Sequence, residues 1–276
     1  MNLHVLQHVG FEGPGRIAAW ASARGHNITI TRFDLGDPLP EVEAIEGLFI
    51  LGGPMNIHES EKYPWLVPEK RFIARFLKTG RPILGVCLGA QLLADVLGGK
   101  VFPHSLREIG WATVDFTAEA LAQFPFLPRS IPVLHWHGDT YALPPGARRI
   151  ARNEWCTEQA FLWKEHVLAL QFHLEAANDE CDQLVHSLGS DLAQDGPRVQ
   201  TAGAIVEGAR THSEATGTLL YTILDHLFRP TGGPIRGLGS ENRKFNGSNR
   251  DEGTDSSRMD GREGERSIFL CRSAWL

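Results

Sequence analysis

The sequence predicts an α/β fold with an open, mostly parallel sheet and helices on both faces. Two observations carry the prediction. Short apolar runs alternate with helix-spaced segments along the first two hundred residues, the signature of βαβ units. One of those runs, Arg81-Pro-Ile-Leu-Gly-Val86, passes straight through Gly85-Val86-Cys87-Leu88-Gly89 into an apolar helical stretch. That is a strand–turn–helix elbow with a nucleophile at its tip.

The elements follow in order. Residues 4–9 form a short apolar run, read as a buried strand. Gly13-Pro14-Gly15 punctuates it, and 16–23 is Ala-rich and helical. Residues 27–33 (NITITRF) alternate with the period of a strand. Residues 48–51 make another short strand, ending abruptly at Gly52-Gly53-Pro54. In 67–78, Phe72, Ile73, Phe76 and Leu77 fall at helical spacing. A strand over 82–86 and a helix over 88–97 flank Cys87, and Gly98-Gly99 stops that helix. Strands are then expected over 112–116, 132–136, 149–152, 160–163 and 167–172. Helices resume after Ala177, and 213–228 carries Leu220, Ile223, Leu224 and Leu227 on one face.

The chain has 276 residues, 42% hydrophobic and 22% charged, with a formal net charge of −6. A mildly acidic chain lacks the basic field of a nucleic-acid binder. No run of about 18 apolar residues predicts a membrane span. The first fifteen residues have no basic start and no long apolar stretch, so they read as a strand and not as a signal peptide. Four cysteines, none in a C-x-x-C pair, argue against a disulfide framework or a Cys-rich zinc site and suit a reducing cytoplasm. Composition divides the chain near Pro230. Residues 1–230 read as one domain. Residues 231–276 are rich in Gly, Ser, Asn, Asp, Glu and Arg, with eight Lys/Arg against seven Asp/Glu. They bury too little apolar surface to offset ordering costs of about 1–2 kcal/mol per residue, so a disordered tail is expected.

The chemistry is concentrated in three segments. At the elbow, glycines two residues either side of Cys87 suit a turn that crowds its neighbours and strains its dihedrals. Cys87 would stand at the carboxyl end of the sheet, where open α/β sheets bind ligands, beside the positive end of a helix dipole. In the second segment, Gln171-Phe172-His173-Leu174-Glu175 ends a short apolar strand. In extended geometry His173 and Glu175 project to the same side, so the carboxylate can orient the imidazole. In the third, the Gly52-Gly53-Pro54 turn can aim the Gly53 N–H at the mouth of the sheet. Paired with the N–H of Leu88, just past the nucleophile, it would form an oxyanion hole. His135 and His137 share a strand face, but no third ligand stands at metal-like spacing, so no metal is expected. Cys156 and Cys181 read as ordinary small residues. Gly13-Pro14-Gly15 lacks the full dinucleotide fingerprint.

Taken together, Gly85-Val-Cys87-Leu-Gly-Ala-Gln91, Leu51-Gly-Gly-Pro54 and Gln171-Phe-His173-Leu-Glu175-Ala, in that order, resemble the class I glutamine amidotransferases. These are flavodoxin-like proteins with a Cys-His-Glu triad, and the resemblance covers nearly all of 1–230. Glu108-Ile-Gly-Trp111 and His135-Trp-His-Gly-Asp139 look most like the glutaminase of GMP synthase and its free-standing relatives. The resemblance implies Cys87 as nucleophile, His173 as base and Glu175 as its orienter. It further implies Gly53 and Leu88 as the oxyanion hole, with Gln91, Gly138 and Asp139 contacting substrate. Ala90 departs from the family, where a larger residue is common, and this alters the pocket wall. The implied substrate is L-glutamine or another γ-glutamyl compound, with no metal or organic cofactor. Ammonia would pass to an acceptor on a separate synthetase subunit, or the protein acts alone, because no acceptor-activating segment is evident. Two other function classes stay open: a hydrolase of γ-glutamyl peptides or conjugates, and a non-catalytic binding or regulatory member of the fold.

Overall fold

The computed structural model describes residues 1–193 and 196–229. The expected disordered tail over 231–276, with Cys271, lies outside the described residues.

Nine strands form one sheet in the order β2-β1-β3-β4-β9-β8-β7-β5-β6. The parallel part consists of β2 (Asn27–Arg32), β1 (Asn2–Gln7), β3 (Gly47–Ile50), β4 (Ile83–Val86) and β9 (Val167–Leu170). Beyond β9 every pairing is antiparallel, through β8 (Ala160–Trp163), β7 (Ala147–Arg152), β5 (Val101–Phe116) and β6 (Ser130–Tyr141). The sheet is therefore mixed. Its parallel strands are near-continuous apolar runs because both faces are covered.

Alternation along each strand divides the core. Leu3, Val5, Phe49, Leu84 and Val86 face α1 (Gly15–Ala23) and α6 (Ala202–Leu227), meeting Ile17, Trp20, Leu220 and Leu224. Leu6, Leu48, Ile50 and Ile83 face α2 (Leu66–Leu77) and α3 (Leu88–Val96), meeting Phe72, Phe76 and Leu92. α2 presents the expected stripe of Phe72, Ile73, Phe76 and Leu77, all buried. Among the described residues no helix is long and apolar enough to cross a membrane.

The largest departure from the sequence reading is β5, which starts at Val101 and not near residue 112. Its first half alternates poorly because its register against β6 shifts between Pro103 and Glu108. A bulge of this kind turns side chains off the strand's regular faces and hides the two-residue period. α4 (Ala118–Gln123) is also new, a short helix capped by Thr117 Oγ1 accepting from the Ala120 N–H. α6 begins at Ala202, about three turns before residue 213 where the apolar stripe placed its start, because its first part carries few buried residues.

Candidate active site

β4 runs into Cys87, and α3 begins at Leu88. Cys87 has φ 52° and ψ −107°, a positive φ in a residue with a Cβ. Such a conformation costs about 1–3 kcal/mol and persists only where its surroundings dictate it. Here the Cys87 N–H donates to the Leu170 carbonyl at 2.8 Å, and the Cys87 carbonyl accepts from the Ala90 and Gln91 N–H groups. The flanking glycines serve close approach. A Cβ on Gly89 would lie 2.1 Å from the Ile50 carbonyl oxygen, and one on Gly85 would lie 2.6 Å from the Gly89 oxygen. The first turn of α3 thus sits directly on β3 and β4, and the strain falls on Cys87.

His173 and Glu175 follow β9. The His173 N–H donates to the Leu134 carbonyl at 2.8 Å, which fixes the segment beside β6. His173 Nδ1 lies 2.6 Å from Glu175 Oε1, and the Leu174 N–H donates to Glu175 Oε2 at 3.0 Å. His173 Nε2 is buried and has no hydrogen-bond partner among the described residues. Burial opposes charging this ring, but the Glu175 charge and the neighbouring Cys87 sulfur outweigh it and raise the His173 pKa well above the usual value. The start of α1 braces the segment from behind. Gly15, at φ 42°, leaves no room for a Cβ against the Glu175 carbonyl, which accepts from the Arg16 N–H at 3.1 Å.

Cys87 and His173 open onto one cleft of about 510 Å³, shared with Gly53, Gln91, Gly138 and Asp139. Gly53 and Leu88 are neighbours: a Cβ on Gly53 would lie 3.0 Å from Leu88 Cδ2. Neither N–H enters a backbone hydrogen bond among the described residues. Gln91 Nε2 donates to the Asp139 carbonyl and to Gln171 Oε1, both at 3.3 Å. The Asp139 carboxylate accepts from Asn56. All eight residues singled out in the sequence therefore gather at this end of the sheet.

Four charged groups in the cleft escaped sequence reasoning. Glu12, Glu59, Arg107 and Asp191 line it. Arg107 lies at the β5 register shift and lays its side chain over Gly138, its Nε 3.3 Å from where a Cβ would stand. Its Nη1 is 3.6 Å from Asp191 Oδ1. Arg107 belongs to no motif, and Glu12 falls in a segment that reads as turn punctuation.

Glu12 Oε2 would lie 2.2 Å from a Cβ on Gly52, and His173 Cε1 3.2 Å from it. Burial and the nearby Glu175 charge push the Glu12 carboxyl up to about 7, against the pull of His173 and His8. A carboxyl raised in the fold favours the folded state below its unfolded pKa, and that advantage is lost as pH rises through the folded value. Glu12→Gln removes this dependence. Its melting temperature relative to wild type is expected to climb between about pH 4.5 and 7, measured by thermal melts across that range. A flat difference would refute the assignment.

One sequence argument fails. His135 and His137 do have a third companion, Glu108, with ligand-type atoms of all three within 4.8 Å. Glu108 is 29 residues upstream of His137 in sequence but pairs with it in the β5–β6 ladder, so linear spacing hides it. Its oxygens accept from Asn153 Nδ2 at 2.6 Å and Gln159 Nε2 at 2.8 Å, with His137 Nε2 3.2 Å away. Burial alone would raise this carboxyl. Contacts with His137, His135 and Asn153 outweigh burial and hold it at about 2. Burial also lowers His135 to about 4. The cluster touches the strand end that carries Gly138 and Asp139 through His137 Nδ1, 3.1 Å from the Asp139 carbonyl oxygen.

Residues 16–187 match the glutamine amidotransferase class-I family. The chain belongs to that family. The glutamine amidotransferase-like protein YfeJ of Salmonella typhimurium is 27% identical over 234 residues, 82% of this chain and 97% of that protein. A glutamine-hydrolysing GMP synthase of Thermomicrobium roseum is 37% identical over 134 residues, 48% of this chain but 24% of the synthase. The chain thus spans about a quarter of that relative. The crystal structure of a Thermotoga maritima glutamine amidotransferase superposes with a TM-score of 0.75 at 28% identity, covering 83% of this chain and 99% of that one. One from Methylobacillus flagellatus gives 0.77 at 26% identity, covering 82% and 93%.

Proposed function

We propose that this protein hydrolyses the γ-amide of L-glutamine to glutamate and ammonia through a thioester on Cys87. The observation that carries this reading is a strained Cys87 sharing a cleft with a His173 whose Nδ1 is held by Glu175 and whose Nε2 is free. Membership of the family supports it.

His173 Nε2 takes the Cys87 thiol proton, and the sulfur attacks the γ-carbonyl carbon. The N–H groups of Gly53 and Leu88 receive the oxyanion. The C–N bond breaks as His173 returns the proton to the leaving nitrogen, releasing ammonia. Water, deprotonated by His173, then cleaves the thioester, and glutamate departs with the Cys87 thiol restored. Gln91, Gly138 and Asp139 line the substrate's side of the cleft. Ammonia passes to an acceptor on a separate synthetase subunit. The cleft volume favours a second reading, because about 510 Å³ falls in the range that admits drug-sized ligands. A γ-glutamyl conjugate with a larger leaving group fits the same chemistry.

The test is ammonia release from glutamine, with mass spectrometry of the protein after an electrophilic glutamine analogue. Turnover and a single adduct on Cys87 are expected. Higher kcat/KM for γ-glutamyl amides than for glutamine would select the second reading. An unlabelled Cys87 without turnover would leave a non-catalytic member of the family.

A further inference from the structure

Another imidazole–carboxylate pair lies beneath the Gly52-Gly53 turn. His8 follows β1, and Glu69 sits in the first turn of α2. Both are fully buried. His8 Nε2 lies 2.9 Å from Glu69 Oε1, and His8 Nδ1 lies 2.9 Å from the Gly52 carbonyl oxygen. A carbonyl only accepts, so Nδ1 carries a proton and donates it. The ring packs against Phe33 and Trp65, with centroids 5.6 and 5.4 Å away, and those two rings stack on each other at 4.8 Å, so the three form one aromatic cluster. Burial opposes a charged ring, but the charge of Glu69 and its hydrogen bond outweigh it and raise the His8 pKa.

The turn needs such a hold. Leu51 is fixed on both sides, its N–H donating to the Leu6 carbonyl and its carbonyl accepting from the Gly89 N–H. The next peptide joins two glycines, which tolerate almost any backbone orientation. Both are glycine for space: Gly52 faces His173 and Glu12, and Gly53 faces His8, Leu88 and Met55. The chain itself therefore does not choose which way this peptide points. In a trans peptide the C=O and the N–H point in opposite directions, and there is no cis bond among the described residues. With the Gly52 carbonyl drawn inward to His8, the Gly53 N–H faces the other way, into the cleft that Gly53 lines. A flipped peptide would present a carbonyl oxygen there and repel a developing oxyanion.

We propose that His8, backed by Glu69, is a positioning residue that holds the Gly52–Gly53 peptide with its N–H set for the oxyanion. This rests on the hydrolase reading above. Three single variants test it. His8→Ala removes the donor. His8→Asn puts an amide nitrogen near the place of Nδ1 and abandons Glu69. His8→Gln reaches toward the place of Nε2, keeps Glu69 and abandons Gly52.

His8→Ala is expected to lower kcat about 10²–10³-fold, the usual loss for one oxyanion donor, with KM held within about threefold. Alkylation of Cys87 by iodoacetamide, a displacement that forms no oxyanion, should keep its rate. His8→Asn should recover most of kcat and His8→Gln little, while thermal stability should rank the other way. A role in packing alone predicts the same order for both, and that result would overturn the proposal. So would full kcat in His8→Ala. If His8→Ala fails to fold, the Asn and Gln variants decide. Crystal structures of wild type and variants read the peptide directly, and an unturned Gly52–Gly53 peptide in His8→Ala would also overturn it. A wild type that turns over no γ-glutamyl compound would sink the hydrolase reading alone, since the peptide orientation remains measurable.

Discussion

Cys87→Ala is expected to cut γ-glutamyl amide hydrolysis on the order of 10⁴-fold or more, because the thioester route closes. The same position offers a second, independent readout. Cys87 holds φ 52° and ψ −107°. Alanine keeps the Cβ and so keeps the strain, whereas glycine adopts positive φ freely. Within regular structure Gly is about 0.5–1 kcal/mol less stable than Ala. Relief of about 1–3 kcal/mol of backbone strain reverses that order here. Cys87→Gly should therefore melt above Cys87→Ala, with both inactive. Paired denaturation curves check the order, and activity assays check the loss. An Ala variant more stable than the Gly variant would mean that the elbow is unstrained. Residual turnover near wild type in either would remove Cys87 from the chemistry.

Much of this site is legible in the sequence because its parts are local. The elbow is written in five consecutive residues around Cys87, and the His173–Glu175 pair depends only on two-residue alternation after a strand. The Gly52-Gly53 turn is visible as a strand ending abruptly. What the sequence hides is what distance in the chain conceals. Glu69 meets His8 across 61 positions, and Asn153 meets Glu108 across 45. Arg107 reaches Gly138 only because the β5–β6 register slips between Pro103 and Glu108. Such groups announce themselves through burial and hydrogen bonding, which spacing does not encode. The fold behaves in the same way. The parallel strands read clearly because both their faces are buried, while the first half of β5, exposed and out of register, carries no clean period.

Gly89→Ala is expected to damage both stability and activity, and it separates two meanings of glycine. The glycine is not needed for a left-handed turn, since among the described residues it does not have positive φ. It is needed for proximity. A Cβ there would lie 2.1 Å from the Ile50 oxygen and 2.7 Å from the Ile50 carbonyl carbon, both backbone atoms of β3. Backbone in a central strand cannot rotate away as a side chain can, so α3 itself must move. Overpacking of this sort costs about 1–3 kcal/mol, and the upper end applies when both sides are main chain. For a domain of this size about 3 kcal/mol lowers the melting temperature by roughly 6–12 °C. Moving α3 also moves Leu88 and Cys87 relative to Gly53 and His173, and a misplacement of about 1 Å costs on the order of 10²-fold in rate. Gly203→Ala is the control. Gly203 lies in the first turn of α6 with nothing within 4 Å of an added Cβ. Alanine there should leave turnover untouched and hold or raise stability by up to about 1 kcal/mol. Equal melting temperatures for the two variants would show that α3 does not need close contact with β3, and that the nucleophile's position has another cause.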